Sequence, residues 1–229
     1  MKNKIISVVI PAFNEEQSIG KVVTDIDRDL VNHVIVVNNN STDNTVEVAE
    51  SAGAIVLDEP RKGYGWACLK GISECERLKT EIIVFLDGDY SDYPEEIKDV
   101  IAPILSENKD LVIGSRVLGE REKGSLTPQQ VFGNWLATKL VRLFYRGRFT
   151  DLGPFRAMQF HSLQKLGMSD KTYGWTIEMQ IKVLKNKMSY CEVPVNYKRR
   201  IGVSKVSGTV KGTILAGIKI IFAVFKYLF

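Results

Sequence analysis

Two aspartates separated by one glycine, Asp87-Gly88-Asp89, stand directly behind the apolar run Ile82 to Leu86. Alternate residues leaving a strand can turn both carboxylates toward one hard divalent cation, and the glycine between them lets a ligand approach the backbone. Mg²⁺ keeps part of its water shell and shares its other positions with a substrate's phosphates. The pair therefore points to a nucleotide diphosphate. A solvated acidic turn uses the same residue types; the setting separates the two readings, with a buried strand before the pair and Pro94-Glu95-Glu96, a helix start, after it.

Cations recur at comparable positions. Arg116 follows the apolar Leu111 to Ile113 through Gly114-Ser115, Arg156 follows Gly153-Pro154-Phe155, and Arg200 and Lys205 lie in the basic run from Lys198 to Lys205. Arginines beside strand ends or Gly-Pro turns suit two-pronged phosphate contacts, although ordinary surface positions carry the same residues. Lys62, within Glu59-Pro60-Arg61-Lys62-Gly63-Tyr64-Gly65 at a helix entrance, reads equally as a phosphate loop or a charged turn. No Ser-His or Cys-His pairing accompanies these groups. His33 and His161 sit where helices meet strands or loops and read as packing residues. Cys68, Cys75 and Cys191 lack metal or redox spacing and read as small buried hydrophobes in a reducing cytosol.

Positioning such groups calls for a scaffold that presents strand ends side by side. Apolar runs at Ile5 to Ile10, Val34 to Val37, Ala54 to Leu57, Ile82 to Leu86 and Leu111 to Ile113 alternate with helical patterns. The first of those helices carries Ile19, Val22, Val23, Ile26 and Leu30, and Ser41 or Thr42 is expected to cap the second. This is the signature of an α/β fold with a mostly parallel, doubly wound sheet, whose ligands bind outside the strands' carboxyl ends. Beyond Arg116 the spacing predicts a helix from Pro128 to Tyr145, a Gly-Pro-rich loop from Thr150 to Ala157, a helix from Trp175 to Lys187 and a strand from Tyr190 to Tyr197.

The whole chain has 229 residues and a net charge of +4, enough for one sizeable core and too little charge to argue for nucleic acid. Its start, Met-Lys-Asn-Lys, runs straight into a strand without a signal-peptide apolar region, so a cytoplasmic protein is expected. The tail, Thr209 to Phe229, is strongly apolar but carries Lys211, Lys219 and Lys226 within roughly one quadrant of a helix. A spanning helix is disfavoured by that charge. The alternatives are a basic amphipathic helix lying in the cytoplasmic membrane interface, or a terminal helix packed on the core or on a second copy of the chain.

Taken in order, Val9-Ile10-Pro11-Ala12-Phe13-Asn14-Glu15-Glu16, the Asn-Ser-Thr-Asp turn after the second strand, Leu86-Asp87-Gly88-Asp89, Gly114-Ser115-Arg116, Gly153-Pro154-Phe155-Arg156 and Arg200-Ile-Gly-Val-Ser-Lys205 resemble the family 2 glycosyltransferases of the GT-A fold, and most of all the dolichol-phosphate mannosyltransferase-like enzymes. The resemblance covers about residues 5 to 210. It implies a glycosyltransferase domain over 1–205, with a nucleotide-sugar half (5–116) and an acceptor half (117–205), followed by the tail helix over 206–229. It implies transfer of a hexose from a UDP- or GDP-sugar to a polyprenyl phosphate, with Mg²⁺ or Mn²⁺ on Asp87 and Asp89. Pro11, Ala12, Asn14 and Glu15 would surround the nucleoside, Asn38 and Asn39 would meet its base or ribose, and Lys62 and Gly88 would lie against the donor. Arg116, Arg156, Arg200 and Lys205 would meet the acceptor phosphate or the departing diphosphate. The chain departs from the family pattern at Asn38, where Asp is common, at Ser91, where Gln is common, and at Gly153-Pro154, where Ser-Gly is common.

A phosphate acceptor is already anionic, so the site needs positioning, a metal and cations more than a base. A hydroxyl acceptor on a glycan or metabolite would need one, and Asp151 and Glu178 are the available carboxylates; as structural residues they would be a turn cap and a partner for a buried arginine. A non-catalytic nucleotide-sugar or membrane-binding module is the third reading, and it predicts that Asp89→Asn leaves function unchanged.

Overall fold

In the computed structural model of the chain, residues 4–202, 217 and 221–228 are described. Three strands, β1 (Ile6–Ala12), β2 (His33–Asn38) and β3 (Ile55–Asp58), alternate with helices α1 (Ile19–Thr24) and α2 (Thr45–Ser51). Helix α3 (Tyr64–Arg77) leads to β4 (Ile82–Phe85), and α4 (Ile97–Glu107), entered through a short 3₁₀ turn at Pro94–Glu96, leads to β5 (Leu111–Ser115). The second part adds α5 (Pro128–Tyr145), β6 (Arg156–Gln159), α6 (Phe160–Leu166), α7 (Trp175–Lys185) and β7 (Tyr190–Pro194). Residues 221–226 are helical again.

The seven strands form one sheet in the order β3-β2-β1-β4-β6-β5-β7. All pairings are parallel except those of β6, which runs antiparallel to both β4 and β5. Strand side chains alternate between two cores, as the two-residue period of a strand dictates. Val8, Ile10, Val34, Val36, Ile82 and Val84 face α1, α2 and α4. Val9, Ile35, Val37, Ile83 and Phe85 face α3, α5, α6 and α7, together with Ala223 and Val224 of the tail. Burial on both faces explains why the strands read as unbroken apolar runs.

Several elements are shorter than their sequence patterns. Helix α1 stops at Thr24, so Ile26 and Leu30 lie beyond it; α7 stops at Lys185 and β7 at Pro194. Neither Ser41 nor Thr42 caps α2, whose N-cap is Asn44. Ser41 instead accepts the Asn14 N–H at 3.0 Å, and the Thr42 N–H donates to Asn14 Oδ1 at 2.7 Å. Lys205 and most of the expected tail helix, including Lys211 and Lys219, lie outside the described residues.

Candidate active site

The strand order reverses between β1 and β4: β1, β2 and β3 run outward in one direction, and β4 then returns to the other side of β1. A crevice forms at the carboxyl ends of the strands where an open sheet switches direction. A cavity of about 320 Å³ lies there. The end of β1 supplies Pro11, Ala12, Phe13 and Glu15, the turn after β2 supplies Asn39, and the entrance of α3 supplies Lys62, Gly63 and Tyr64. Asp87, Gly88 and Asp89 form its floor at the end of β4, and Tyr173 and Arg200 reach in from later in the chain.

The two aspartates differ in their partners. Asp89 Oδ1 accepts the Ser91 N–H at 3.0 Å, and Asp89 Oδ2 lies 3.0 Å from Arg200 Nη1. Asp87 Oδ1 accepts the Tyr64 hydroxyl at 3.3 Å. Burial, and then the charge of Asp89, push the Asp87 carboxyl well above the usual carboxylate range. A buried acid raised in this way by its neighbour is short of positive charge, which is the electrostatic demand a divalent cation meets. Two carboxylates with backbone and substrate oxygens also match the hard, oxygen-rich donor set of Mg²⁺ or Mn²⁺. Among the described residues no cluster of three or more His, Cys, Asp or Glu is arranged for a metal. Two carboxylates leave the other positions of such a cation to water and to a ligand's oxygens.

Arg200 bridges the mouth. Its Nη2 lies 3.1 Å from Glu15 Oε1 while Nη1 meets Asp89, and the strap around it is pinned by Ile201 N–H to Asp89 O and Lys198 N–H to Ser91 O, both 2.9 Å. Lys198 caps the rings of Tyr90 and Tyr93.

The asparagines chiefly build loops. Asn39 lines the cavity, but its amide donates to the carbonyls of Glu59 (2.9 Å) and Arg61 (2.8 Å), and its Oδ1 accepts the Gly63 N–H at 2.8 Å. Asn38 is not among the lining residues; it donates to Asp58 Oδ1 at 2.8 Å and accepts the Ser41 N–H. Asn14, left-handed at φ 53°, joins the β1 and β2 loops and also lies off the lining. Gly63 has φ 144°, and a Cβ there would meet Lys171 O at 2.2 Å. The α3 entrance is therefore pressed backbone to backbone on the loop that carries Tyr173.

Four residues expected to act on the acceptor or its phosphate are held away from the cavity. Asp151 grips Arg116 through Oδ1 to Nη2 (2.7 Å) and Oδ2 to Nε (2.8 Å), and also accepts the Arg116 N–H. Burial would raise the Asp151 carboxyl, but Arg116 outweighs it and holds it low. Arg156 is buried within β6 and donates to the carbonyls of Leu152, Gly153 and Thr176. Glu178 is fully buried and accepts from the Ser169 and Asp170 N–H groups, the Ser169 and Tyr227 hydroxyls and Lys182. It partners backbone and lysine where a buried arginine was expected. Neither carboxylate lines the cavity, and the fork of Arg156 is filled by protein carbonyls where a phosphate was expected.

Tyr64 and Tyr173 are lining residues that no motif singled out. Asp92 is another surprise: both its oxygens are buried with no hydrogen-bond partner among the described residues, and burial followed by the charge of Asp87 pushes it well up. The run Asp-Tyr-Ser-Asp was its available signal.

The profile of Glycosyl transferase family 2 matches residues 7–167. The chain belongs to that family. A glycosyltransferase of Mycobacterium tuberculosis described as uncharacterized is 32% identical over 219 residues, covering 94% of this chain and 96% of the relative. The UDP-N-acetylglucosamine–dolichyl-phosphate N-acetylglucosaminyltransferase of Methanococcus voltae is 28% identical over 217 residues, covering 85% of this chain and 86% of that one. Among solved structures, glucosyl-3-phosphoglycerate synthase of M. tuberculosis, in complex with Mn²⁺, UDP and phosphoglyceric acid, superposes with a TM-score of 0.78 at 23% identity, over 98% of this chain and 78% of that one. This family 2 glycosyltransferase thus has the GT-A architecture that its motif order implied. Among the described residues no helix is long and apolar enough to cross a membrane.

Proposed function

We propose that this glycosyltransferase moves a hexose from a nucleotide diphosphate sugar to a polyprenyl phosphate, with inversion at the anomeric carbon. The acceptor phosphate oxygen forms the new bond to that carbon as the bond to the donor diphosphate breaks, and the electron pair leaves on the diphosphate. The nucleoside lies against Pro11, Ala12, Phe13 and Glu15, and the diphosphate runs between Lys62, at the α3 entrance, and Arg200. Asp87 and Asp89 hold a divalent cation, Mg²⁺ or Mn²⁺, which supplies charge neutralisation to the leaving diphosphate. Lys62 and Arg200 supply the remaining positive charge, and Tyr64 and Tyr173 wall the cavity against water.

The observation that carries the reading is that each carboxylate lining the cavity already faces a cation or belongs to the aspartate pair. Glu15, Asp87 and Asp89 are the carboxylates that line the cavity; Glu15 and Asp89 face Arg200, and Asp87 and Asp89 are the metal pair. Asp151 and Glu178, which a hydroxyl acceptor would require, are locked in the fold. An acceptor that arrives as an anion matches such a site. The name of the M. voltae relative supports a lipid phosphate.

The test is transfer of labelled sugar from UDP- and GDP-sugars to a short polyprenyl phosphate with Mg²⁺ or Mn²⁺. Lipid-linked sugar that disappears with chelator and in Asp89→Asn is expected. Transfer to a hydroxyl acceptor in preference to the lipid phosphate would overturn the reading.

A further inference from the structure

Helix α5 is fixed by strong local signals. Pro128 opens it, Thr127 Oγ1 accepts the Gln130 N–H at 3.2 Å, and Gln130 Oε1 accepts the Thr127 N–H at 2.8 Å in a reciprocal cap. One face is anchored: Ala137, Thr138 and Val141 are buried, and Asn134 ties to Thr150 O (3.0 Å) and the Leu152 N–H (2.8 Å). The opposite face should be polar. Instead Phe132, Trp135 and Leu143 stand 60%, 53% and 71% exposed, with Phe132 and Trp135 in ring contact at 5.8 Å.

The charges on this face have one sign. Lys139 and Arg142 are exposed on it, Arg146 and Arg148 follow, and no Asp or Glu occurs between Glu122 and Asp151. Among the described residues none of these four cations is in an ion pair. At the C-terminal end Phe144 meets Phe225 at 5.4 Å, so the exposed Phe222 and Phe225 of the tail continue the apolar surface.

We infer that the outer face of α5 is a membrane-docking surface that lies in the plane of an anionic bilayer. Aromatic and aliphatic side chains interleaved with cations are what the headgroup and acyl boundary accepts, the rings entering the acyl region while lysine and arginine reach the lipid phosphates. Charge decides between occupants. A second copy docked on this face would set cation against cation with no carboxylate to answer, whereas an anionic leaflet is complementary. The inference rests on this surface alone and holds whichever acceptor the cavity takes.

The test uses the full chain, without donor or acceptor, in co-sedimentation with vesicles of phosphatidylcholine alone or mixed with phosphatidylglycerol. Binding to the mixed vesicles is expected, weakened by added salt and by Arg142→Glu. Loss of about a hundredfold in partitioning is expected for Phe132→Ser with Trp135→Ser, the effect of withdrawing two large apolar groups from lipid. The double variant should keep its circular dichroism and its turnover of a water-soluble acceptor, because both side chains stand outside the core and the cavity. Undiminished vesicle binding by that variant would overturn the inference, assigning any contact to the tail. So would a wild-type chain that ignores the mixed vesicles, or one whose self-association the two serines abolish.

Discussion

Arg200 and Asp89 lie 3.0 Å apart across the mouth of the cavity, joining the last described residues of the basic run to the aspartate pair at the end of β4. The same guanidinium reaches Glu15 on the opposite wall. On the proposed reading, Arg200→Ala removes the cation that would face the departing diphosphate, and it leaves Asp89 beside Asp87 without its guanidinium partner. We expect kcat to fall by about two orders of magnitude, as for removal of one preorganised charge-stabilising donor. Arg200→Lys should recover part of the loss, because a point charge replaces the two-pronged contact. Steady-state kinetics at saturating metal checks both.

The Asp151–Arg116 pair should act on stability before chemistry. Asp151→Ala leaves a buried guanidinium uncompensated, which typically costs about 3–5 kcal/mol, and urea unfolding should register it. A fully folded Asp151→Asn that binds donor yet turns over nothing would contradict the structural role and revive the hydroxyl acceptor.

Glu178 carries a pH signature. Burial alone would raise it, but Lys182, Ser169, the Asp170 N–H and Tyr227 hold it down to about 2. Because the folded value lies below the unfolded one, the ionised form stabilises the fold above pH 4.5, and that contribution is lost as pH falls toward 2. A shift of that size corresponds to roughly 3 kcal/mol. Glu178→Gln should therefore lower stability at neutral pH and flatten the acid limb of the stability profile, measured by denaturant titration from pH 7 down to about 3.

The contact between the α3 entrance and the Tyr173 loop predicts a remote effect on the donor site. A Cβ at Gly65 would lie 2.2 Å from Asp170 O, a backbone atom that cannot step aside alone. Gly65→Ala should cost about 1–3 kcal/mol as an overpacking change and raise the KM for the donor, since Tyr64 and Tyr173 move with the two backbones. Calorimetric titration with the nucleotide diphosphate reads the second effect.

Strong local grammar made much of this legible. Pro128 and the apolar period gave α5 its observed bounds, and the unbroken runs of β1, β2, β4 and β5 announced strands that prove buried on both faces. Asp87 and Asp89 fell at a strand's carboxyl end, where the sheet reversal forms the cavity. Strand β6 escaped because it is four residues long, begins with an arginine and follows a Gly-Pro turn. Arg156 looked like a phosphate ligand because the carbonyls that occupy it come partly from α7, some twenty residues on. Asp151, Glu178 and Arg116 were misleading for the same reason: an acid or a base shows its charge in the sequence, but its partner is chosen by tertiary packing. The cavity tyrosines needed the loop after α6, whose approach only the glycines at 63 and 65 foreshadowed.

The insertion of β6 between β4 and β5 also bears on how the chain is born. Strands β1 to β5 are complete once Ser115 has been synthesised, yet two of them cannot meet until residues 156–159 arrive to fill the gap. A nascent chain halted at Arg116 would carry an open edge on β4 beside its aspartates, a template for pairing with other chains. Expression of residues 1–116 alone should accordingly yield an aggregating fragment, and native folding should wait for the ribosome to pass Gln159.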